Sequence, residues 1–221
     1  MDFEKARFNM VKQQIRPWDV LDDRVLAVLA EIPREQFSPP QYKNMAYTDT
    51  RIPLGRFEDH ELSMMQPNIN GRILQEMHIY KDDLVLEIGT GTGYLTACLA
   101  RLARFVDSVE INPTLTAEAE KNLAALAITN TNLSTGDASR GWDQKPYYDV
   151  IILNGSMPAI PESYKQMLRV GGRMFVVTGD APVMTAYRVT RTAKNKWAAQ
   201  ALFETCIDRL IHTDKAAEFD F

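Results

Sequence analysis

The N-terminal pattern of apolar and polar positions has a helical period, and residues 3–20 and 22–31 are predicted as two helices. Val25, Leu26, Val28 and Leu29 give the second an apolar face, Pro17 breaks the chain between the two, and Pro33 closes the second. Residues 37–67, carrying Pro39, Pro40, Pro53 and Pro67, show no period and are expected to be irregular. Tyr42, Met45, Tyr47, Ile52 and Leu54 favour packing over disorder in that stretch. A helix over 68–77 follows. After the Lys81-Asp82-Asp83 turn, strands at 84–88, 105–110, 133–135, 148–153 and 173–178 alternate with helices at 95–102, 114–126 and 161–168, the last ending at Gly171-Gly172. Such alternation predicts an α/β fold: a mostly parallel sheet with helices on both faces. Residues 184–191, 197–204 and 206–211 read as strands joined by short turns, an antiparallel end to the sheet. The expected organisation is one domain over 1–221. It comprises an N-terminal helical cap with a long loop (1–80), an alternating core (81–180), and C-terminal strands and tail (181–221).

Composition narrows the function classes. A chain of 221 residues can bury one sizeable core, and its formal net charge is −4 with no Lys/Arg block, so no nucleic-acid partner is expected. Residues 1–16 are charged with no apolar centre, so no signal peptide is expected, and no apolar run approaches membrane-spanning length. Cys98 and Cys206 are too few for a disulfide framework, no metal-ligand set is expected, and a reducing cytoplasm is the predicted location. His60, His78 and His212 are too few for a catalytic histidine cluster.

The chemistry-bearing stretch is Val85-Leu86-Glu87-Ile88-Gly89-Thr90-Gly91-Thr92-Gly93-Tyr94. An apolar strand runs through Glu87 into alternating glycines, which let the backbone turn tightly and let a ligand approach it. The order E-x-G-x-G-x-G differs from the G-x-G-x-x-G of a dinucleotide site, and Glu87 would repel a phosphate and attract an ammonium group. In an open α/β sheet the ligand lies beyond the carboxyl ends of the strands. Glu110, about 20 residues past the glycines, stands where an acidic residue accepts both ribose hydroxyls. Asp137 follows the third strand, where it would accept from an adenine amino group, and Asn154 follows the fourth, where a methionine end or the acceptor would lie. Each carboxylate taken singly is more often a helix cap or a solvated residue, and the glycines alone can also be read as a plain tight turn. Together they look like the S-adenosylmethionine site of a Rossmann-like class I methyltransferase. A nicotinamide enzyme is the rival ligand reading, and Glu87 counts against it.

The chain resembles the protein-L-isoaspartate (D-aspartate) O-methyltransferase family over nearly its full length. The resemblance rests on residues 10–16 and 22–26, on Ile32-Pro33-Arg34-Glu35-Gln36-Phe37 through Ala46-Tyr47-Thr48-Asp49, and on the glycine loop. Gly136-Asp137-Ala138, Pro158-Ala159-Ile160-Pro161, Val170-Gly171-Gly172-Arg173 and Thr213-Asp214-Lys215 also match. It implies S-adenosyl-L-methionine as cofactor, held by Met64, Met65, Asn70, Glu87, Gly89, Thr90, Gly91, Gly93, Glu110, Ile111, Asp137, Ala138, Asn154 and Thr213. It implies substrate contacts at Tyr47, Gln66 and Pro67, an isoaspartyl protein or peptide as partner, and a monomer or weak dimer. The family places G-x-G-Q-T-I-S-x-P before its first strand, with the serine beside the reacting carboxylate. Here Met65 stands in the serine position, Ser63 lies two residues earlier as the candidate catalytic hydroxyl, and the segment from Gly55 is longer. Asn154-Gly155-Ser156-Met157 replaces a run of small residues, and the tail 216–221 is this chain's own.

Methyl transfer from a sulfonium to a carboxylate needs no general base, because the nucleophile's unperturbed pKa is about 4. Positioning and exclusion of water can then supply as much as roughly 7–11 kcal/mol. An amine, phenol or hydroxyl acceptor would call for a base, with His60 the one candidate, although a lone loop histidine is more often a solvated residue. Met64 and Met65 read either as an apolar acceptor pocket or as packing under the loop. Three functions therefore compete. One is an isoaspartyl methyltransferase with an open groove. Another is a methyltransferase of a small molecule, with a pocket of Phe57, Met64 and Met65. The last is a non-catalytic cofactor-binding protein.

Overall fold

The computed structural model describes residues 1–142 and 147–213. Asp214, Lys215 and the tail 216–221 lie outside the described residues. The first expected helix is three pieces. Helix α1 (Phe3–Asn9) runs into a π-helical stretch, Met10–Ile15, and a 3-10 turn, Arg16–Trp18. Pro17 has no N–H for the carbonyl four residues back, so a regular α-helix cannot continue through this point. Helix α2 (Asp23–Glu31) begins at Asp22, whose side chain accepts from Arg24 N at 2.9 Å, and buries the predicted Val25, Leu26, Val28 and Leu29.

Residues 37–67 are not wholly irregular. Strands β1 (Ile52–Phe57) and β2 (His60–Met64) form a separate antiparallel hairpin, turning at Glu58 with φ 52°. Pro53, Gly55 and a register shift between them hide β1 from periodicity, and β2 opens on the polar pair His60-Glu61. Helix α3 (Pro67–Glu76) starts one residue earlier than expected, since proline is preorganised for a first helical position.

The alternating region follows the prediction closely. It comprises β3 (Leu84–Ile88), α4 (Tyr94–Leu102), β4 (Phe105–Glu110), α5 (Pro113–Ala125), β5 (Thr131–Thr135), β6 (Tyr148–Met157) and α6 (Glu162–Met167). Then come β7 (Leu168–Asp180), β8 (Val183–Ala193) and β9 (Lys196–Thr205). The sheet order is β5-β4-β3-β6-β7-β8-β9, parallel from β5 to β7 and antiparallel through β8 and β9. Gly171 and Gly172 lie inside β7 rather than before it, because α6 stops at Met167.

The expected strand over 206–211 is not formed. After Thr205 the chain leaves the sheet edge and returns to the end of β6, bonding Ser156 N to Asp208 O at 2.8 Å and Leu210 N to Ser156 O at 3.1 Å. Gly155 makes this approach possible, since a Cβ there would lie 2.8 Å from Leu210.

Alternate residues of the buried strands feed two apolar layers. Val150 and Ile152 of β6 join one cluster with Phe175 and Val177 of β7, while Ile151 and Leu153 join another with Met174 and Val176. The first layer also takes in Met10, Val11, Ile15 and the buried face of α2, which seats the N-terminal helices against the sheet. Strand order reverses between β4 and β6 on either side of β3, which places a crevice at the carboxyl ends of these strands.

The N-terminal helices meet α3 across Gly71, where a Cβ would lie 3.0 Å from Ile15 Cγ2 and 3.2 Å from Val20 Cγ2. Gly71→Val is expected to lower stability by about 1–3 kcal/mol through overpacking. Urea unfolding measures the loss, and limited proteolysis should show earlier cleavage within residues 1–31.

Candidate active site

The glycine loop is shaped by what crowds it. Gly89, Gly91 and Gly93 have φ of 91°, 57° and 90°, a region that side-chain-bearing residues avoid. A Cβ on Gly89 would sit 3.2 Å from Asn154 Cβ, and one on Gly93 would sit 3.1 Å from Ala119 Cβ, so β6 and α5 both press on the loop. Gly89 N donates to Val109 O at 2.8 Å and Gly91 N to Glu110 Oε2 at 2.8 Å, which pins the loop to the end of β4.

Glu87 does not face a ligand, contrary to its expected role toward an ammonium group. Its side chain has no exposed surface. Its Oε2 accepts from Thr96 Oγ1 at 2.5 Å and Ser108 Oγ at 2.7 Å, and its Oε1 accepts from Asn154 Nδ2 at 2.8 Å. The three donors come from α4, β4 and β6, all uncharged. Burial therefore outweighs the hydrogen bonds and pushes the carboxyl up to about 7. Asn154 also donates to Gly89 O at 2.9 Å, which leaves its buried Oδ1 as an acceptor with no partner.

A cavity of 410 Å³ opens at the carboxyl ends of β3, β4 and β6. Gly89, Thr90 and Gly91 form its floor, Glu110 and Ile111 enter from the end of β4, Asp137 and Ala138 from beyond β5, and Asn154 from β6. Asn70 of α3 joins them, with Ser63 and Met64 of β2 and Met65 just after it. Glu110 accepts from Asn112 N at 3.0 Å as well as from Gly91, and burial raises its carboxyl against those bonds. Asp137 accepts from Ser139 N at 2.8 Å and meets His212 Nδ1 at 2.9 Å; burial works to raise its carboxyl, but these partners outweigh it and hold it low. His212 Nε2 meets Glu58 Oε2 at 2.9 Å, and the hydrogen bonds to Asp137 and Glu58 raise the imidazole.

Other expected contacts lie outside the lining. Gly93 caps α4, and Thr213 is buried, with its hydroxyl donating to Leu210 O at 2.5 Å. Tyr47 is buried, its phenol donating to Glu35 and its ring 6.4 Å from that of Phe3. Gln66 and Pro67 start α3, and Asp49 accepts from Asn68 Nδ2 at 3.2 Å. Tyr47 is held away from the cavity by the N-terminal helices, where Gln14 Nε2 donates to its carbonyl at 3.0 Å.

The lining also contains residues that no local motif announced. Arg51 and Leu54 come from around the start of β1, and Ile207, Asp208 and Leu210 from the returning C-terminal segment. Ser63 Oγ donates to Asp208 Oδ2 at 2.6 Å, and Arg51 pairs with the same carboxylate. His60 and both methionines line this side, and Phe57 does not.

The family model for protein-L-isoaspartate(D-aspartate) O-methyltransferase matches residues 5–207. The chain belongs to this family. A protein-L-isoaspartate O-methyltransferase of Petrotoga mobilis is 34% identical over 192 residues, covering 86% of this chain and 88% of that protein. A protein-L-isoaspartate O-methyltransferase 1 of Rhodopseudomonas palustris is 37% identical, covering 86% of this chain and 77% of that protein. A solved protein-L-isoaspartate O-methyltransferase superposes with a TM-score of 0.79 at 25% identity, over 93% of this chain and 65% of that one. A Plasmodium falciparum chain crystallised with S-adenosyl-L-homocysteine shares the fold at a TM-score of 0.77 and 17% identity, over 95% of this chain and 98% of that one. The fold is thus that of a Rossmann-like class I methyltransferase, and the family is S-adenosylmethionine-dependent. The residues present suit that molecule. In the lining, Glu110 and Asp137 carry carboxylate oxygens of the kind a ribose diol and an adenine amine would need, and Asn154 carries a buried amide oxygen with no partner.

Glu87 rises from 4.5 to about 7 on folding, so the folded chain keeps a proton that the unfolded chain loses in that window. Stability should fall as pH climbs through the window, by about 3 kcal/mol in full, and Glu87→Gln should remove that slope. Urea unfolding of both proteins between pH 4.5 and 8 isolates the difference. Glu110→Ala should weaken S-adenosylmethionine binding about 10- to 100-fold by removing hydrogen bonds to a charged acceptor, measured by calorimetry.

Proposed function

We propose that this chain transfers the methyl group of S-adenosylmethionine to the side-chain carboxylate of L-isoaspartyl residues in damaged proteins. The observation that carries the reading is Ser63. Although Met65 takes the family serine's place, the β1–β2 hairpin brings the Ser63 hydroxyl into the same cavity as Glu110 and Asn154. Bound S-adenosylmethionine supplies an electrophilic methyl on a sulfonium that leaves as a neutral thioether. Asn154 Oδ1 would hold the amino-acid end, Glu110 the ribose and Asp137 the adenine. Ser63 would donate to one acceptor oxygen and leave the other free to attack in line. No proton moves, so His60 needs no part although it lines the cavity.

Met64 and Met65 facing the cavity beneath the hairpin support a second reading, in which the acceptor is a small apolar molecule. A cytoplasmic location belongs to the main proposal and is supported by the free Cys98 and Cys206. Among the described residues no helix is long and apolar enough to cross a membrane.

Labelled methyl transfer to an isoaspartyl peptide, with the aspartyl peptide as control, tests the reading. Base-labile label on the isoaspartyl peptide alone is expected, and Ser63→Ala should lower kcat/KM about 10- to 100-fold by removing a hydrogen bond to a charged oxygen. Cofactor binding without transfer to that peptide would sink the proposal and turn attention to small-molecule acceptors.

A further inference from the structure

A carboxylate of the protein itself already sits on the acceptor side of the cavity. Asp208 Oδ2 accepts from Ser63 Oγ at 2.6 Å, and Asp208 Oδ1 pairs with Arg51 Nη1. The three residues come from β2, from the returning C-terminal segment and from just before β1, and all three line the cavity. Asp208 is anchored close to Asn154, because its carbonyl accepts from Ser156 N at 2.8 Å. Its carboxylate therefore stands beside the strand end expected to hold the methionine portion of the cofactor.

The charge pattern makes this arrangement consequential. Glu61, Glu110, Asp137 and Asp208 bring carboxylates to the lining, against the cations Arg51 and Arg209. Arg209 reaches Asp180 at 2.5 Å and Gly179 O at 3.3 Å. An anionic acceptor entering such a cavity needs a cation and a donor at the reaction end, and Arg51 with Ser63 already engages both oxygens of a carboxylate.

We propose that Arg51 and Ser63 form the seat of the acceptor carboxylate, and that Asp208 holds the seat until an acceptor displaces it. The inference rests on the carboxylate acceptor proposed above. Side-chain exposure of 40% for Arg51 and 47% for Asp208 makes the ion pair easy to exchange, and Asp208 can turn into water while its backbone bonds stay in place. One carboxylate then replaces another on the same donors. The methylated product is a neutral ester, so Asp208 regains the seat and favours release. Self-occupancy also lowers apparent acceptor affinity by the fraction of time that the seat is free.

The rival account makes Asp208 only a tether between the hairpin and the C-terminal segment. With S-adenosyl-L-homocysteine bound, calorimetry on the wild type, Asp208→Ala, Asp208→Asn, Arg51→Gln and the Arg51→Gln/Asp208→Ala double variant separates the two. The probes are an isoaspartyl peptide and succinate. Both Asp208 variants should bind carboxylate probes about two- to fivefold more tightly, the range set by an exposed ion pair. Arg51→Gln should weaken binding at least about fivefold, and the double variant should match it. S-adenosyl-L-homocysteine affinity should stay at the wild-type value throughout. Unchanged or weaker probe binding in both Asp208 variants, wild-type binding in Arg51→Gln, or no carboxylate binding by any variant would overturn the proposal. Should the peptide neither bind nor be methylated while succinate shows the expected pattern, the seat stands and the isoaspartyl acceptor falls.

Discussion

Glu87 places a fully buried carboxyl where four elements meet, and hydrogen bonds from Thr96 of α4, Ser108 of β4 and Asn154 of β6 converge on it from β3's neighbours. Thr90 of the glycine loop joins through Ser108 at 2.6 Å. These bonds hold the two strands that flank the crevice and the helix that follows the loop in one arrangement. They also orient Asn154, whose amide donates to Glu87 and Gly89, so that its buried oxygen is left without a partner. A buried carboxyl met only by neutral donors is driven toward its protonated form. Its contribution to the site is therefore geometric rather than electrostatic. Glu110 and Asp137 are the carboxylates of this half that reach the cavity.

The acceptor side is built differently. Arg34, with no exposed surface, donates to Ala46 O at 2.8 Å and to Met65 O, and its guanidinium lies 4.7 Å from the Tyr94 ring centroid. Burial lowers its pKa, and the two carbonyls fasten the 46–65 stretch to the first turn of α4. Above this anchor, half-exposed ion pairs take over: Arg51 with Asp208, and His212 with Glu58 and Asp137. Exposed pairs contribute little to stability and reform easily. A rigid cofactor half and a rim of exchangeable contacts suit an enzyme whose acceptor is part of a larger chain.

Much of this was legible in the residues. Stretches rich in apolar residues at 84–88, 105–110 and 148–153 fall on β3, β4 and β6, because strands covered on both faces are mostly apolar, with Glu87, Asp107 and Ser108 as buried polar exceptions. The glycine loop and the strand-end residues Glu110, Asp137 and Asn154 were readable for the same reason: in this topology, chain order dictates which ends converge. The hairpin was not readable, since Pro53 and Gly55 break the period and its strands pair with each other instead of joining the large sheet. Residues 206–211 carry an apolar pattern suited to a strand, yet hydrogen bonds to Ser156 draw them away from the sheet edge.

The amino-acid sequence by itself thus determined the α/β core, the turn at the glycines and the family, all of which depend on local period and on residues close together in the chain. Only the tertiary structure decided that Glu87 lies beneath the site rather than in it, since burial depends on donors 9, 21 and 67 residues away. It alone decided that Ser63 reaches the cavity despite Met65, and that Asp208 lies against Ser63 across 145 residues of chain. Contacts between such distant positions come from packing, and no local pattern of side chains encodes them.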